Sequence, residues 1–303
     1  MKLLSRATAF APLFSVLACF SAPSEDAPPL IPEGLVFDVD VAYGTQSEAQ
    51  KLDILYPADP AAPLRPAIVH IHGGGWYTGG KGGAGTLELM KGYAANGYVA
   101  LSIGYRLSDE ARFPAAVEDC KLAIRWLRAN AVRYRIDPDH IGAIGTSAGG
   151  HLSAMLAVTG DTAAFDGAGE HGAFSSAIQA AVPVCGPMDL TQPLSFKMGL
   201  ENDEAVMNFI DGTPLEKPDA ARLASPVTYI RAGMPPLFLI HGTEDRRVEP
   251  VQSEGFAAKA RAAGAPCELA LVNGGKHGGD IARTPDMVGR IQAFFDEHLK
   301  PKT

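Results

Sequence analysis

Short apolar segments alternate with segments of helical periodicity along most of this chain, and this alternation restricts it to few folds. Six of the apolar segments have the length and the unbroken apolar character of parallel strands that are covered on both faces. Strands in alternation with helices predict an α/β fold, with a mostly parallel sheet and helices on both faces. We place the six strands at residues 67–71, 98–103, 141–144, 178–184, 237–240 and 269–272.

The segments before and between these strands complete the predicted architecture. Residues 36–43 and 50–56 alternate polar and apolar side chains, which is typical of half-buried antiparallel strands and predicts an opening hairpin. In such a sheet, ligands bind beyond the carboxyl ends of the strands, so functional residues should directly follow a strand. Helical periodicity predicts helices at residues 114–134, 150–158, 250–263 and 287–299.

The amino terminus has the pattern of an export signal. Lys2 and Arg6 precede an apolar run, so residues 1–22 are predicted to be a signal peptide and residues 23–34 a Pro-rich linker. We therefore expect a secreted or periplasmic protein. The sequence before Cys19 resembles a bacterial lipobox imperfectly, and the alternative is a lipoprotein that is anchored to a membrane through Cys19.

The remainder of the chain, residues 35–300, is expected to form a single domain. Hydrophobic residues make up 47% of the sequence and charged residues 20%, which is usual for a globular enzyme, and no shift in composition marks a boundary. The net charge of −8 and the lack of a basic stripe exclude nucleic acid as an expected partner. Residues 186–235 form an insertion rich in apolar side chains, which we predict to be a small lid or a wall of the substrate cleft.

A nucleophile elbow is predicted at Ser147, within the sequence Gly-Thr-Ser-Ala-Gly at residues 145–149. This sequence directly follows a predicted strand and precedes a predicted helix. Glycines on both sides of the serine allow the strand to reverse sharply into the helix, which exposes the hydroxyl group. Because a serine hydroxyl is a poor nucleophile, it also needs a base, a group that orients the base, and donors for the oxyanion.

Donors for an oxyanion are predicted in the loop His-Gly-Gly-Gly-Trp at residues 72–76, directly after another strand. The backbone N–H groups of Gly74 and Gly75, together with that of Ala148, would form the oxyanion hole. The alternative interpretation of this loop is a flexible glycine turn. Trp76 is a predicted contact of the substrate.

Asp245 and His277 are the predicted partners of Ser147, and both follow predicted strands. The order Ser, Asp, His is the chain order of catalytic triads in this type of sheet. His277 would accept the serine proton and return it to the leaving group, while Asp245 would hold the imidazole in the required tautomer. Glu244 is the competing carboxylate, and we favour Asp245.

The other histidines and the cysteines are given structural roles. His70, His140, His151 and His171 are expected to be satisfied structural groups, and His72 and His241 to brace their loops. No ligand cluster of the H-E-x-x-H type is present, so neither a metal nor another cofactor is expected. For the three cysteines beyond Cys19 we expect buried free thiols, with one disulfide as the alternative; they are Cys120, Cys185 and Cys267.

These motifs together resemble the α/β-hydrolase esterase and lipase family. The sequences HGGGW at residues 72–76, GTSAGG at 145–150 and HGTEDRRV at 241–248 carry the resemblance, supported by SIGYRL at 102–107 and Asp119. They are similar to those of bacterial acetyl xylan and feruloyl esterases and of carboxylesterases like hormone-sensitive lipase. The resemblance implies an α/β-hydrolase fold and an ester substrate, which is a small molecule or is linked to a polysaccharide.

The expected function is hydrolysis of carboxylic esters through an acyl-enzyme intermediate. Acetyl or feruloyl groups of plant polysaccharide are the substrates that the resemblance and the export signal favour. One alternative is an amidase, formamidase or peptidase with the same three residues, because similar loops occur in such relatives. The other is a binding module without catalytic activity.

Overall fold

The computed structural model describes residues 30–301, apart from positions 161, 168, 169, 196, 198 and 200–202. The predicted signal peptide and Cys19 lie outside the described residues, as does most of the predicted linker. All eight predicted strands are present, with ends shifted by at most two residues except that β5 begins five residues before its predicted start. The strands are β1 (Leu35–Ala42), β2 (Lys51–Pro57), β3 (Arg65–Ile71), β4 (Val99–Ile103), β5 (Ile136–Thr146), β6 (Ala180–Val184), β7 (Leu237–Gly242) and β8 (Cys267–Val272).

These strands form one sheet in the order β1-β2-β4-β3-β5-β6-β7-β8. The first two strands pair antiparallel, as the predicted hairpin requires, and β2 also pairs antiparallel with β4. From β4 to β8 every neighbouring pair is parallel. The prediction of a mostly parallel sheet in an α/β-hydrolase fold is thereby confirmed. The carboxyl ends of β3, β5, β6, β7 and β8 meet at one edge.

Helices cover both faces of the sheet, and α2, α4 and α7 pack on one face while α1 and α8 pack on the other. Parallel strands covered on both faces need apolar side chains in both directions, which is why their sequences are nearly unbroken apolar runs. The helices are α1 (Thr86–Ala95), α2 (Ala115–Ala129), α3 (Ala131–Tyr134), α4 (Ala148–Thr159), α5 (Glu204–Ile210), α6 (Pro218–Leu223), α7 (Val251–Ala262) and α8 (Pro285–Leu299). None of the helices in this described part of the chain is long and apolar enough to span a bilayer.

The single helix predicted at residues 114–134 is wrong, because the structure divides it into α2 and α3. The break lies at Asn130, whose side-chain amide donates to the carbonyl oxygen of Trp126 at 2.9 Å. The backbone N–H of Asn130 donates to the same carbonyl oxygen at 3.0 Å, so the last turn of α2 closes on Asn130 itself. The short α3 then ends at Arg135, which has a left-handed backbone with φ 58°.

The insertion at residues 186–235 contains α5, α6 and a 3-10 turn at Pro226–Tyr229. Its apolar residues pack inward, since Met188, Leu194 and Phe209 are buried. The three described cysteines are free thiols, of which Cys120 and Cys185 are buried and Cys267 is partly exposed. The expectation that all three would be buried is therefore wrong for Cys267.

A buried ion pair joins the end of β4 to α2. Asp119 is 0% exposed, and the Arg106 guanidinium donates to it from Nη2 at 2.8 Å and from Nε at 2.9 Å. The backbone N–H of Arg106 and the side-chain amide of Gln50 also donate to this carboxylate. Four donors therefore compensate the cost of removing the Asp119 charge from water.

We predict that Asp119→Ala lowers the free energy of unfolding by about 3 to 5 kcal/mol, because it leaves the Arg106 guanidinium largely buried without its main partner. Urea denaturation followed by circular dichroism measures the change. Glu118→Ala is the matched control, since Glu118 contacts the same guanidinium at 3.3 Å but is more exposed. An equal loss of stability in the two variants would contradict the prediction.

Candidate active site

Ser147 occupies a sharp turn between β5 and α4. Its backbone has φ 57° and ψ −119°, a conformation that a residue with a side chain rarely adopts. The N–H of Ser147 donates to the carbonyl oxygen of Val184 at 2.8 Å, which ties the turn to the neighbouring strand β6. A Cβ atom on Gly145 would collide with the backbone of Gly149, and one on Gly149 with the carbonyl oxygen of Ile71. Both glycines are therefore required by the close approach of backbone segments.

Ser147, His277 and Asp245 lie in one hydrogen-bonded chain. His277 Nε2 is 2.9 Å from Ser147 Oγ, and His277 Nδ1 is 2.7 Å from Asp245 Oδ2. An ionised carboxylate can only accept, so Nδ1 carries a proton in this arrangement. In the neutral imidazole, Nε2 is then the acceptor for the Ser147 hydroxyl. The fold thus brings together the three predicted catalytic residues, which are more than 30 residues apart in sequence.

The loops that carry Asp245 and His277 support each other through their backbones. The N–H of Glu244 donates to the carbonyl oxygen of Gly275 at 2.8 Å, and the N–H of Thr243 donates to that of Val272 at 3.0 Å. The hydroxyl of Thr243 in turn accepts from the N–H of Gly274 at 2.9 Å. These bonds fix the distance between the two loops that follow β7 and β8.

The two adjacent carboxylates, Glu244 and Asp245, have different environments. Glu244 is exposed, whereas Asp245 is 3% exposed and faces His277. Asp245 Oδ1 accepts from the backbone N–H groups of Arg247 at 2.9 Å and Val248 at 3.0 Å. Asp245 is therefore the carboxylate that can orient the histidine.

The ionisation of Asp245 and His277 is coupled. Burial alone would raise the pKa of Asp245, but hydrogen bonds from His241, His277 and the Val248 amide hold the pKa of this carboxyl well below its usual range. Burial would likewise lower the pKa of His277, but its hydrogen bonds to Asp245 and to Cys185 prevail and raise the pKa to about 9. Asp245 is therefore ionised, and it favours the imidazolium form of His277.

Two further side chains belong to this site, and sequence reasoning did not assign either of them to it. The His241 ring has Nε2 at 3.3 Å from Asp245 Oδ2 and 2.8 Å from the carbonyl oxygen of Val248, and Nδ1 at 2.7 Å from Ser253 Oγ. His241 thus braces the loop that carries Asp245, as expected, and also contacts the Asp245 carboxylate itself. Cys185 directly follows β6 and has φ 40°. Its position after a strand was the signal that could have identified it.

Cys185, Asp245 and His277 are the group of described residues that could hold a metal ion. One ligand atom from each lies within 4.8 Å of the other two. Asp245 Oδ2 and His277 Nδ1 are already joined by a short hydrogen bond, which a metal would have to replace. A metal ion held by these three residues would therefore break the bond between His277 and Asp245.

The predicted oxyanion loop folds against the elbow. The N–H groups of Gly74, Gly75 and Ala148 have no acceptor among the residues that the structure describes, and all three residues line the cavity beside Ser147. Backbone donors in folded proteins almost always have a partner. Three free donors at one cavity are therefore available to an oxygen atom of a ligand.

Trp76 has a structural environment that the sequence did not reveal. Its side chain is 2% exposed, stacks on Phe209 with 4.5 Å between ring centroids, and donates from Nε1 to His151 Nδ1 at 3.2 Å. His151 Nε2 therefore carries the ring proton, which it donates to the carbonyl oxygen of Ala224 at 2.7 Å. The indole joins the predicted oxyanion loop to the insertion, and Trp76 also lines the cavity beside Ser147.

The cavity beside Ser147 has a volume of about 370 Å³. Part of its lining comes from the predicted oxyanion loop, from the turn at Ser147 and from the loop that carries His277. The insertion supplies Pro187, Leu194 and Ala205. Residues 186–235 thus contribute a wall of the cavity. Such a volume lies in the range of sites for small ligands.

Comparison with known proteins finds similar proteins that are esterases. The BD-FAE family model matches residues 52–260. Esterase LipQ of Mycobacterium tuberculosis is similar, with 33% identity over 252 residues, and the match covers 81% of this chain and 58% of LipQ. The chain therefore spans less than two thirds of the length of that relative.

Two solved structures are similar over most of their length. A truncated carbohydrate esterase from gut microbiota has a TM-score of 0.77 at 30% identity, covering 86% of this chain and 95% of that one. Esterase 2 of Thermogutta terrifontis, phosphorylated by paraoxon, has a TM-score of 0.67 at 29% identity, covering 89% and 97%. Both are esterases with the same fold.

We predict that Asp245→Asn lowers the pKa of His277 from about 9 towards or below the ordinary value of 6.5, because an amide cannot stabilise the imidazolium. NMR titration of the histidine rings measures this change. The internal reference is His151, whose pKa burial lowers to about 4 and which Asp245 does not contact. A His277 pKa that is unchanged in the variant would contradict the prediction.

Proposed function

The chain belongs to the BD-FAE family of α/β-hydrolase esterases, and on this basis we propose that it is a serine carboxylesterase. Ser147 is the proposed nucleophile, His277 the general acid and base, and Asp245 the residue that orients His277. The observation that supports this most directly is the hydrogen-bonded chain from Ser147 Oγ through His277 to Asp245. The similar esterase that paraoxon phosphorylates is consistent with a serine nucleophile.

In the first proposed step, Ser147 Oγ attacks the carbonyl carbon of the ester while its proton passes to His277 Nε2. Only the neutral imidazole can accept this proton, so activity should increase as the pH is raised towards the His277 pKa of about 9. Asp245 stabilises the imidazolium that forms, and it remains ionised throughout.

In the second step, the bond between the acyl carbon and the alcohol oxygen breaks, and His277 returns its proton to the departing alcohol. A water molecule then attacks the acyl group on Ser147 Oγ, giving up its proton to His277 Nε2. The acid leaves and Ser147 regains its hydrogen. In each step Nε2 of His277 transfers the proton while Nδ1 keeps its hydrogen bond to Asp245, so the imidazole does not need to move far.

Negative charge develops on the carbonyl oxygen of the substrate in both steps. The proposed oxyanion hole consists of the free N–H groups of Gly74, Gly75 and Ala148. Donors that are already in place stabilise the transition state without a reorganisation cost, and each is worth about 3 kcal/mol.

The proposed substrates are acetyl or feruloyl esters of plant polysaccharide. Two observations support this choice: one similar structure is a carbohydrate esterase, and Tyr77, at the edge of the cavity, is 51% exposed. An exposed aromatic ring at a cavity edge suits contact with sugar rings or with a feruloyl ring. Such substrates lie outside the cell, and the signal peptide predicted at residues 1–22 agrees with a secreted or periplasmic enzyme.

We predict that Ser147→Ala reduces the turnover of p-nitrophenyl acetate by a factor on the order of a million. The reason is that no other hydroxyl is activated by His277. Ser175→Ala, which removes an exposed hydroxyl far from the cavity, is the control and should keep full activity. A folded wild type that does not react with a fluorophosphonate at Ser147 would instead favour the non-catalytic binding module.

We predict that Gly74→Ala strongly reduces kcat, by a factor of roughly a hundred or more, which is the cost of losing an oxyanion donor. Gly74 has φ 118°, and a Cβ atom there would collide with the carbonyl oxygen of Thr78. The loop must therefore move and its N–H groups with it. Gly80→Ala, where a Cβ atom meets nothing within 4 Å, should leave kcat unchanged.

We predict that esters are cleaved faster than the corresponding amides, since the proposed site has no further acid to protonate a poor leaving group. Matched phenyl ester and anilide substrates, in acetyl, butyryl, octanoyl and feruloyl series, measure both the bond and the acyl preference. Acetylated xylan should release acetate. Faster cleavage of a formamide than of its ester would favour the amidase alternative.

A further inference from the structure

A second cavity, of about 270 Å³, lies between α1, α8 and the face of the sheet that these helices cover. Apolar side chains form most of its wall, among them Leu89, Tyr93, Ile144, Val184 and Ile291. The proposed catalytic mechanism does not use any of these residues. A cavity of this size is near the lower limit for sites of small organic ligands.

This second cavity is adjacent to the active site but is not part of it. Thr146 lines both cavities, and Gly279 lines the second cavity next to the histidine loop. Ser147 and His277 line the active-site cavity and do not line the second one. Thr146 is therefore the residue that lines both cavities.

His70 presents a hydrogen-bond acceptor to the second cavity. Its Nδ1 lies 3.3 Å from Ser102 Oγ, and the single proton of that hydroxyl is donated to the carbonyl oxygen of Lys81 at 2.8 Å. Ser102 must therefore accept from His70, which places the ring proton on Nδ1. Nε2 then has a free lone pair and no partner among the described residues. Burial lowers the pKa of His70 to about 4, so the ring stays neutral near pH 7.

Arg283 supplies a positive charge at the same cavity. It lies between a 3-10 turn, Gly279–Ala282, and α8, and no acid among the described residues pairs with its guanidinium. The nearest carboxylate of the cavity lining, Glu88, is already paired with Lys91 at 2.8 Å. An arginine without a partner can donate two parallel hydrogen bonds to a carboxylate.

We propose that this cavity is a binding site for a small monocarboxylate with an apolar body, in which Arg283 holds the carboxylate group and the apolar wall encloses the chain. A hydroxyl group on the ligand would donate to the free Nε2 of His70. A phosphate ion is a poor fit, because the cavity offers one cation and a mostly apolar surface. The site is thus selective for organic acids, and hydroxy acids are favoured over plain ones.

Isothermal titration calorimetry with octanoate tests this assignment. We expect octanoate to bind the wild type, 3-hydroxyoctanoate to bind more tightly, and octanol and inorganic phosphate to give no signal. Arg283→Gln should weaken octanoate binding by about tenfold or more, as expected for the loss of a charged hydrogen bond. Arg261→Gln, which removes an exposed charge at the end of α7, should leave the affinity unchanged.

A second pair of variants tests the volume of the cavity. Gly92 lies on α1 at the cavity and Gly289 on α8 away from it, and a Cβ atom at either meets nothing within 4 Å. Gly92→Trp should fill the cavity and abolish binding, whereas Gly289→Trp should not change it. Equal affinity in Gly92→Trp and wild type would overturn the proposal.

The active-site cavity is the competing location, and covalent modification separates the two. Treatment with a fluorophosphonate fills the cavity beside Ser147, and octanoate should still bind the treated protein with its original affinity. Loss of binding after modification would place the ligand in the active site and overturn the proposal. No detectable binding of octanoate to the wild type would overturn it as well.

Discussion

The backbone of Gly149 lies against the carbonyl oxygen of Ile71, and the position of the site depends on this contact. It joins the start of α4 to the end of β3, and these elements adjoin the proposed nucleophile and the proposed oxyanion loop. No side chain fits between them, so the turn at Ser147 is held at φ 57° by its surroundings. Because these two backbone segments are in contact, Gly74, Gly75 and Ala148, with their free N–H groups, line the same cavity.

Asp245 links the electrostatics of the site to its architecture. The carboxylate is buried, and it is stabilised as an anion by two histidines and by the backbone amides of Arg247 and Val248. Because these donors come from the strand end, from its own loop and from the loop after β8, the anion also holds the loops together. The same charge raises the pKa of His277, which strengthens the imidazole as a base.

The two faces of the sheet differ in what lies between the strands and the helices that cover them. The face under α2, α4 and α7 carries an apolar core, in which Trp76 and Phe209 join the insertion to the predicted oxyanion loop. The face under α1 and α8 keeps a cavity with the neutral His70 and the cationic Arg283. Thr146 lines both this cavity and the cavity beside Ser147, so a ligand there would lie one residue from the proposed nucleophile.

The sequence by itself determined the strands, their parallel arrangement and the catalytic candidates, because apolar periodicity and glycine motifs are local properties of the chain. It did not determine the partial exposure of Cys267 or the buried position of Trp76, since each depends on neighbours that are distant in sequence. The break at Asn130 also differs from the prediction, although the bond from its side chain to Trp126 is local. The choice of Asp245 over Glu244 was based on the expectation that only one of two neighbouring side chains can face His277, and in the structure Asp245 is buried beside His277 while Glu244 is exposed. The contact of His241 with Asp245, the position of Cys185 beside His277 and the second cavity came from the tertiary structure alone, because a hydrogen bond or a cavity exists only where folding brings side chains together.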